Sequence, residues 1–190
     1  TSAVGVAKEL KTDRMLRPGD KILVSGTIGD HGATILAQRE GFQVEGELRS
    51  DVCPIWDIVE TALRVGGVSA MKDPTRGGVA EALNELASKS NVGIVIEESS
   101  LPVSPVVRNF CEMLGLDPLT LTNEGKVVMG VARDHSDEVL EAIRENPKAK
   151  DACIIGEVTK NYAGKVILKT LSGGQRIVPP PLGDPVPRIC

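Results

Sequence analysis

The sequence predicts an α/β (α+β) fold: a mixed β-sheet flanked by helices, followed by a flexible C-terminal tail. Three observations predict it. Short β-branched runs interleave with segments of helical spacing, the pattern of helices packed on a sheet. The last strand-like runs follow one another with no helix between them, so the sheet is expected to be mixed. Apolar residues make up 41% of the 190 and aromatics only 2%, so the core must be packed from Val, Ile, Leu and Ala.

Lys21–Ser25 is a β-branched run that stops at Gly26. The turn Gly29-Asp30-His31-Gly32 then opens a helix through Ala33, Ile35, Leu36 and Ala37, which Gly41 ends. Pro54 can start a second helix, with Ile55, Ile58, Val59, Ala62 and Leu63 on one face and Gly66-Gly67 closing it. Val68–Lys72 reads as a strand leading into Asp73-Pro74-Thr75-Arg76-Gly77-Gly78. A third helix follows, with Val79, Leu83, Leu86 and Ala87 on one face. Gly93–Ile96 is a further strand, and Pro105–Leu114 a helix that sets Val106, Val107, Phe110 and Leu114 at helical spacing. Thr120–Gly125 reads as a loop and Lys126–Ala132 as a strand. Ser136 is placed to cap a helix whose apolar face is Val139, Leu140 and Ile143. Ala152–Val158, Lys165–Leu171 and a short run through Ile177 and Val178 read as strands, the last two joined by the turn Ser172-Gly173-Gly174. No internal repeat appears, and no domain break before about Pro179.

Composition narrows the function. A net charge of −4, without a basic stripe interleaved with aromatics, argues against nucleic acid, whose phosphates call for a basic patch. No apolar run is long enough to span a bilayer, and no signal peptide is visible. Cys53, Cys111, Cys153 and Cys190 form no Cys-x-x-Cys pair, which disfavours structural zinc. The first three lie in apolar-patterned segments and read as buried packing residues, and free thiols in such a core read as cytoplasmic. The sequence begins at Thr1 without methionine, which reads as a fragment or a processed product.

The densest chemical cluster inside the domain is Asp73-Pro74-Thr75-Arg76-Gly77-Gly78. A strand delivers the turn, two glycines let the backbone approach a ligand, and the helix start presents free N–H groups to an anion. Arg76 adds a forked donor and Thr75 a hydroxyl. The plainer reading, a helix start capped by Asp73 or Thr75, has equal weight. Thr122-Asn123-Glu124-Gly125 lies in a loop before a strand, where a carboxylate is either a surface turn residue or, if burial raises its pKa, a base. Spacing alone favours the surface. His31 reads as a capping or hydrogen-bonding residue and His135 as solvated. The pairs Glu97-Glu98 and Asp137-Glu138 read as solvent-facing charge, and no metal-ligand spacing is present.

Past Pro179 the chain runs Pro-Pro-Pro-Leu-Gly-Asp-Pro-Val-Pro-Arg-Ile-Cys, with neither helical nor strand periodicity. A pliant arm stiffened by prolines thus carries a thiol at its tip. The dozen residues 179–190, extended as polyproline, reach roughly 35 Å. The thiol is not self-activated: a free cysteine titrates near ~8.5 and the adjacent carboxylate does not lower that value.

Asp73-Pro74-Thr75-Arg76-Gly77-Gly78 with Val79-Ala80-Glu81-Ala82-Leu83-Asn84-Glu85, and the terminal Pro187-Arg188-Ile189-Cys190, closely resemble the HypE family of hydrogenase maturation proteins. Arg17-Pro18-Gly19-Asp20, Val24-Ser25-Gly26-Thr27-Ile28-Gly29-Asp30-His31-Gly32 and Thr122-Asn123-Glu124-Gly125 match it too. That family belongs to the superfamily of aminoimidazole ribonucleotide synthetase and selenophosphate synthetase, in which an ATP-binding domain precedes a C-terminal α/β domain. The resemblance implies that residues 1–178 are the second domain, with 1–18 an interdomain segment, that 179–190 are the functional tail, and that the first domain is absent. This chain alone would then be inactive. It also implies the activity: a carbamoyltransferase, HypF, loads a carbamoyl group on Cys190, ATP-dependent dehydration turns it into a thiocyanate, and the cyano group passes to iron on a HypC–HypD complex as the cyanide ligand of [NiFe]-hydrogenase. By the same resemblance Cys190 is the covalent carrier and Glu124 the base. Asp73, Thr75, Arg76, Gly77 and Gly78 help place the phosphates of ATP. Magnesium accompanies the ATP, with its ligands in the missing half, and the full-length protein is a homodimer. Two alternatives remain: a selenophosphate- or purine-type synthetase domain, which needs no terminal cysteine, and a non-catalytic interaction module whose tail only docks.

Overall fold

The computed structural model describes residues 4–6 and 10–183. A seven-stranded mixed sheet forms the centre. In chain order the elements are β1 (Lys21–Val24), α1 (Asp30–Glu40), α2 (Trp56–Val65), β2 (Val68–Lys72), α3 (Gly78–Ser90), β3 (Gly93–Glu97), α4 (Pro105–Leu114), β4 (Val128–Val131), α5 (Ser136–Arg144), β5 (Cys153–Thr159), β6 (Val166–Lys169) and β7 (Gln175–Val178). Across the sheet the strands run β2-β4-β1-β5-β3-β6-β7. β3 and β6 pair in parallel and every other neighbouring pair is antiparallel, so the expected mixed sheet is present.

Alternation along β1 sorts the core into two layers. Ile22 and Val24 face α3, joining Val79, Leu83, Leu86, Ile94, Ile96 and Leu168. Leu23 points the other way, where Ile58 and Ala62 of α2 and Val139 and Ile143 of α5 pack over Met129 and Val131. A third cluster lies between α1 and α4 and includes Ala33, Ala37, Val107, Phe110 and Leu121. Phe42 meets Phe110 edge-on with ring centroids 5.8 Å apart. Of the four aromatics Phe110 alone is buried; Trp56 is 65% exposed.

Helix ends follow the local chemistry. Ser104 Oγ accepts the Val107 N–H at 3.3 Å with Pro105 in the first turn, and left-handed Gly115 closes α4. Gly41 closes α1 and Gly66 ends α2. Three expectations need correction. α2 begins at Trp56, two residues after Pro54. β4 begins at Val128, because the chain at Lys126 and Val127 is still leaving the preceding loop. Ser136 does not cap α5: it is the first helical residue, and its hydroxyl donates to the Arg133 carbonyl at 2.8 Å. Among the described residues no helix is long and apolar enough to cross a membrane.

Candidate functional site

Three loops at one edge of the domain meet on a single buried side chain. Asn123 is fully buried. Its Oδ1 accepts the Gly29 N–H at 2.8 Å, in the loop before α1. Its Nδ2 donates to the carbonyls of Leu121, at 3.2 Å, and Pro74, at 3.4 Å, and its own N–H donates to Pro74 O at 3.1 Å. An amide offers one acceptor and two donors, so Asn123 joins three backbone segments without leaving a buried polar group unsatisfied. A further bond, from the Gly32 N–H to Thr122 O at 3.0 Å, holds the start of α1 to the same loop.

The 73–78 turn sits on that junction. Gly78 has φ +61°, and a Cβ there would overlap the Leu121 carbonyl oxygen and fall 2.6 Å from that of Leu119. Only glycine fits. The residue flanking α3 is left-handed Gly77, with no side-chain cap, and the Thr75 hydroxyl donates to Asp73 Oδ2 at 2.7 Å instead. The capped-helix reading of Asp73 and Thr75 is therefore not what forms. A uncapped helix start faces a cavity of about 520 Å³ lined by Lys72, Asp73, Thr75, Arg76, Gly77, Glu81, Glu85, Pro181 and Gly183. Arg76 is exposed and makes no ion pair or side-chain hydrogen bond among the described residues, while Lys72 lies 3.5 Å from Glu85. Arg76 suits an anion such as the phosphate end of a nucleotide, whereas the Thr75 hydroxyl proton is taken by Asp73, the Gly78 N–H donates to the Thr75 carbonyl at 3.2 Å, and Glu85 is paired with Lys72 and Lys89. Among the described residues no cluster of His, Cys, Asp or Glu could hold a metal by itself.

Glu124 stands exposed on the Asn123 loop, next to the 73–78 turn, the surface position that spacing favours, and its N–H donates to Asp51 Oδ1 at 3.0 Å. Asp51 in turn lies 3.2 Å from Lys126 Nζ, and the two side chains are only 3% and 8% exposed. Asp30 belongs to the same polar cluster. Burial pushes its carboxyl above the ordinary range, against the pull of its bond from Thr27 and of Lys126. His31 shares a hydrogen bond of 2.9 Å with Ser50, so it bonds rather than caps. The Thr122 hydroxyl is buried without a partner among the described residues.

Sequence reasoning singled out the 73–78 turn and Glu124 and passed over Asp51, Lys126 and the joining role of Asn123. One signal was legible: Lys126 is a lone cation heading the apolar run Val127-Val128-Met129. Two other expectations change. Cys111 is buried, but Cys53 and Cys153 are only partly so, their thiols turned to the carbonyls of Gly125 and Ser100. His135 is half-buried rather than solvated, with Nδ1 unpartnered among the described residues. Cys190 lies outside the described residues, as do Asp184 to Ile189. The described root of the tail, however, ends at this site: Pro181 Cγ lies 3.4 Å from where a Cβ of Gly77 would be, and Pro181 and Gly183 line the cavity.

Comparison with known proteins agrees with this architecture. A family model, AIR synthase related protein, C-terminal domain, matches residues 17–169. A putative hydrogenase expression/formation protein of Methanocaldococcus jannaschii is 50% identical over 193 residues, covering 100% of this chain and 57% of that protein. Carbamoyl dehydratase HypE of Rhodobacter capsulatus is 42% identical, again over 100% of this chain and 57% of its own length. The chain therefore spans little more than half the length of these relatives. A crystal structure of hydrogenase maturation protein HypE superimposes with a TM-score of 0.92 at 39% identity, over 97% of this chain and 60% of that one. Two further HypE structures, one in complex with ATP (TM-score 0.88, 39% identity, 92% of this chain and 54% of that one) and one in complex with HypF (0.85, 44%, 89% and 55%), share the fold. With most of its length matched by the family model and its fold shared with HypE, the chain belongs to the AIR synthase related proteins, C-terminal domain, and within them it resembles HypE.

Proposed function

We propose that this chain is the second domain and tail of an ATP-dependent S-carbamoyl-cysteine dehydratase, acting in maturation of [NiFe]-hydrogenase. Residues 1–178 form that domain, 179–190 the carrier tail, and a preceding domain supplies most of the nucleotide site. One observation carries the reading: the Glu124 loop, bonded through Asn123, and the root of the tail, through Pro181 at Gly77, converge on the 73–78 turn. The seven residues beyond Gly183 would reach roughly 22 Å if extended, a span that covers both the cleft and a partner's site.

Cys190 receives a carbamoyl group from a HypF-type carbamoyltransferase, as the HypE–HypF complex of a relative suggests. ATP, with magnesium, supplies the phosphoryl group that makes the carbamoyl oxygen leave. The residues of this chain do the rest. The 73–78 turn and Arg76 balance phosphate charge; one good donor of this kind typically contributes ~3 kcal/mol to a transition state. Transfer of the phosphoryl group to the carbamoyl oxygen releases ADP and the first amide proton; Glu124 accepts the second from nitrogen as the C–O bond breaks, phosphate leaves and the C–N bond becomes triple. The side chain of Glu124 is exposed in this domain, so its assignment as the base rests on the resemblance of Thr122-Asn123-Glu124-Gly125 to HypE and on its place beside the 73–78 turn. The cyano group then passes to iron on a HypC–HypD type acceptor, in the cytoplasm, from a homodimeric full-length protein; cleaving the S–C bond to leave a Cys190 thiolate and a cyanide ligand takes two electrons, which that iron-bearing acceptor supplies.

Intact-mass measurement tests this. Full-length protein incubated with HypF, carbamoyl phosphate and ATP should gain a carbamoyl group on Cys190 and then lose one water. Glu124→Gln should accumulate the carbamoylated form, slowed by about a hundredfold or more. Dehydration of that variant at the wild-type rate removes Glu124 from the mechanism; no adduct on Cys190 leaves a docking module.

A further inference from the structure

We infer that Asp51, held by a buried ion pair with Lys126, is the positioning residue that sets the catalytic loop carrying Glu124. The inference rests on the reading of Glu124 as the base.

A buried ion pair contributes little net stability, because desolvating two charges offsets most of their attraction; apolar replacements of similar volume are often as stable. What such a pair supplies is placement. Here one carboxylate divides its two oxygens: Oδ1 accepts the main-chain N–H of Glu124 at 3.0 Å, and Oδ2, buried without a hydrogen bond among the described residues, lies 3.2 Å from Lys126 Nζ, an attraction of charges rather than an aligned bond. Asp51 and Lys126 come from either side of the loop they hold. Lys126 follows Glu124 by two residues, while Asp51 reaches in from the stretch before α2.

Packing around the pair is fitted to it. A Cβ on Gly125 would overlap the Asp51 carbonyl oxygen and lie 2.7 Å from Cys53 Sγ, so the loop can lie against the Asp51 backbone only with glycine there. A Cβ on Gly26 would fall 2.9 Å from Lys126 Cε, so the absence of one at the end of β1 makes room for the lysine stem. Among the described residues Asp30, which feels both charges, and the Cys53 thiol lie beside the pair. The Glu124 side chain projects outward from a backbone fixed on both sides. A base needs that, since a misplacement of about 1 Å can cost a hundredfold in rate.

Removing Asp51 alone would strand a buried lysine and threaten folding, so the test compares two double variants of the full-length protein. Asp51→Asn with Lys126→Met abolishes both charges and keeps an oxygen for the Glu124 N–H. Asp51→Ala with Lys126→Met abolishes the charges and the acceptor. Two quantities are measured: amide hydrogen exchange at Glu124, referred to β1 amides for global stability, and single-turnover dehydration of carbamoyl-Cys190 across ATP concentrations. We expect the Asn/Met protein to stay near wild type. In the Ala/Met protein the Glu124 amide should exchange about tenfold faster relative to β1, and saturating turnover should fall about tenfold or more, as loss of one hydrogen bond implies. The half-saturating ATP concentration should hold. Equal exchange and equal turnover in the two proteins overturn the inference, as does a shift in ATP saturation alone. Glu124→Gln serves as the reference: if it turns over normally the base reading fails, and the exchange data still decide whether Asp51 positions the loop.

Discussion

The fold shifts two of its aspartates in opposite directions. Asp57 Oδ2 accepts from Lys148 Nζ at 2.8 Å and Asn146 Nδ2 at 2.9 Å, tying the start of α2 to the turn after α5, and these bonds hold its pKa down from 3.8 to about 2. Asp30, mostly surrounded by protein, is displaced upward by burial. The signs follow from which form the fold prefers. A lowered carboxyl adds stability that is complete above its unfolded value and is lost as pH falls through the folded one. A raised carboxyl adds stability at low pH that is lost as pH rises through it. Asp57→Asn should therefore flatten the acid limb of the stability curve between 3.8 and about 2, as read from urea unfolding at a series of pH values. Asp13, Glu85 and Glu157 are also held low, by Lys89 for the first two and chiefly by Lys21 for the third, so the limb should shrink rather than vanish. An acid limb of unchanged slope would mean that Lys148 and Asn146 do not favour the charged Asp57.

Three helices of this fold end at glycine, while α3 ends at Asn91 and α5 at Glu145, and two of the glycine stops, Gly41 and Gly66, were legible in the sequence. Gly41, Gly66 and Gly115 stop α1, α2 and α4, and α4 itself runs over the predicted residues because Ser104 and Pro105 define its start. What the sequence did not carry is which loops touch. Asn123 bonds across 94 residues to Gly29 and 49 to Pro74, and no local pattern encodes a partner so distant. The 73–78 turn was recognisable as chemistry but not as structure, for Asp73 and Thr75 bond each other rather than the helix. The Glu124 motif was visible; the ion pair beneath it was not, since Asp51 lies in a polar stretch with no periodicity. Gly78 allows a test of how tightly these loops are set. Its φ of +61° is strained for any other residue, and two carbonyls occupy the space of a Cβ. Gly173 has φ +83° and nothing within 4 Å. Gly173→Ala should thus lose about 1 kcal/mol, the backbone cost alone, and Gly78→Ala about 3 kcal/mol or more. Urea unfolding of both gives the difference, which measures the contact of α3 with the Leu119–Leu121 backbone. Equal losses would place that contact at nothing.

Taken whole, the domain is a platform that fixes both the site and the point where the tail departs. β7 pairs with β6 at one edge of the sheet, and its last residue, Val178, is buried against the α3 layer. Asn84 of α3 donates to the Val178 carbonyl at 3.0 Å and to Ala80 O at 2.8 Å. Arg176 pairs with Asp117 on the outer side. The chain therefore leaves the sheet pointed at the 73–78 turn, which begins the same helix that bears Asn84. If the proposed cycle holds, loading and dehydration ask different things of this anchor. Loading by a carbamoyltransferase needs only reach, which the length of the tail provides. Dehydration needs the thiol returned to one cleft, where a fixed root raises its local concentration. Asn84→Ala removes one donor from a buried carbonyl and should cost about 1 kcal/mol of stability. Its effect on the two steps should be unequal: carbamoylation of Cys190 near the wild-type rate, and dehydration slowed by roughly the same energy, about fivefold. Intact-mass kinetics on the full-length protein follow both steps in one experiment. Equal slowing of loading and dehydration would show that Asn84 serves general stability and that the tail takes no direction from the sheet.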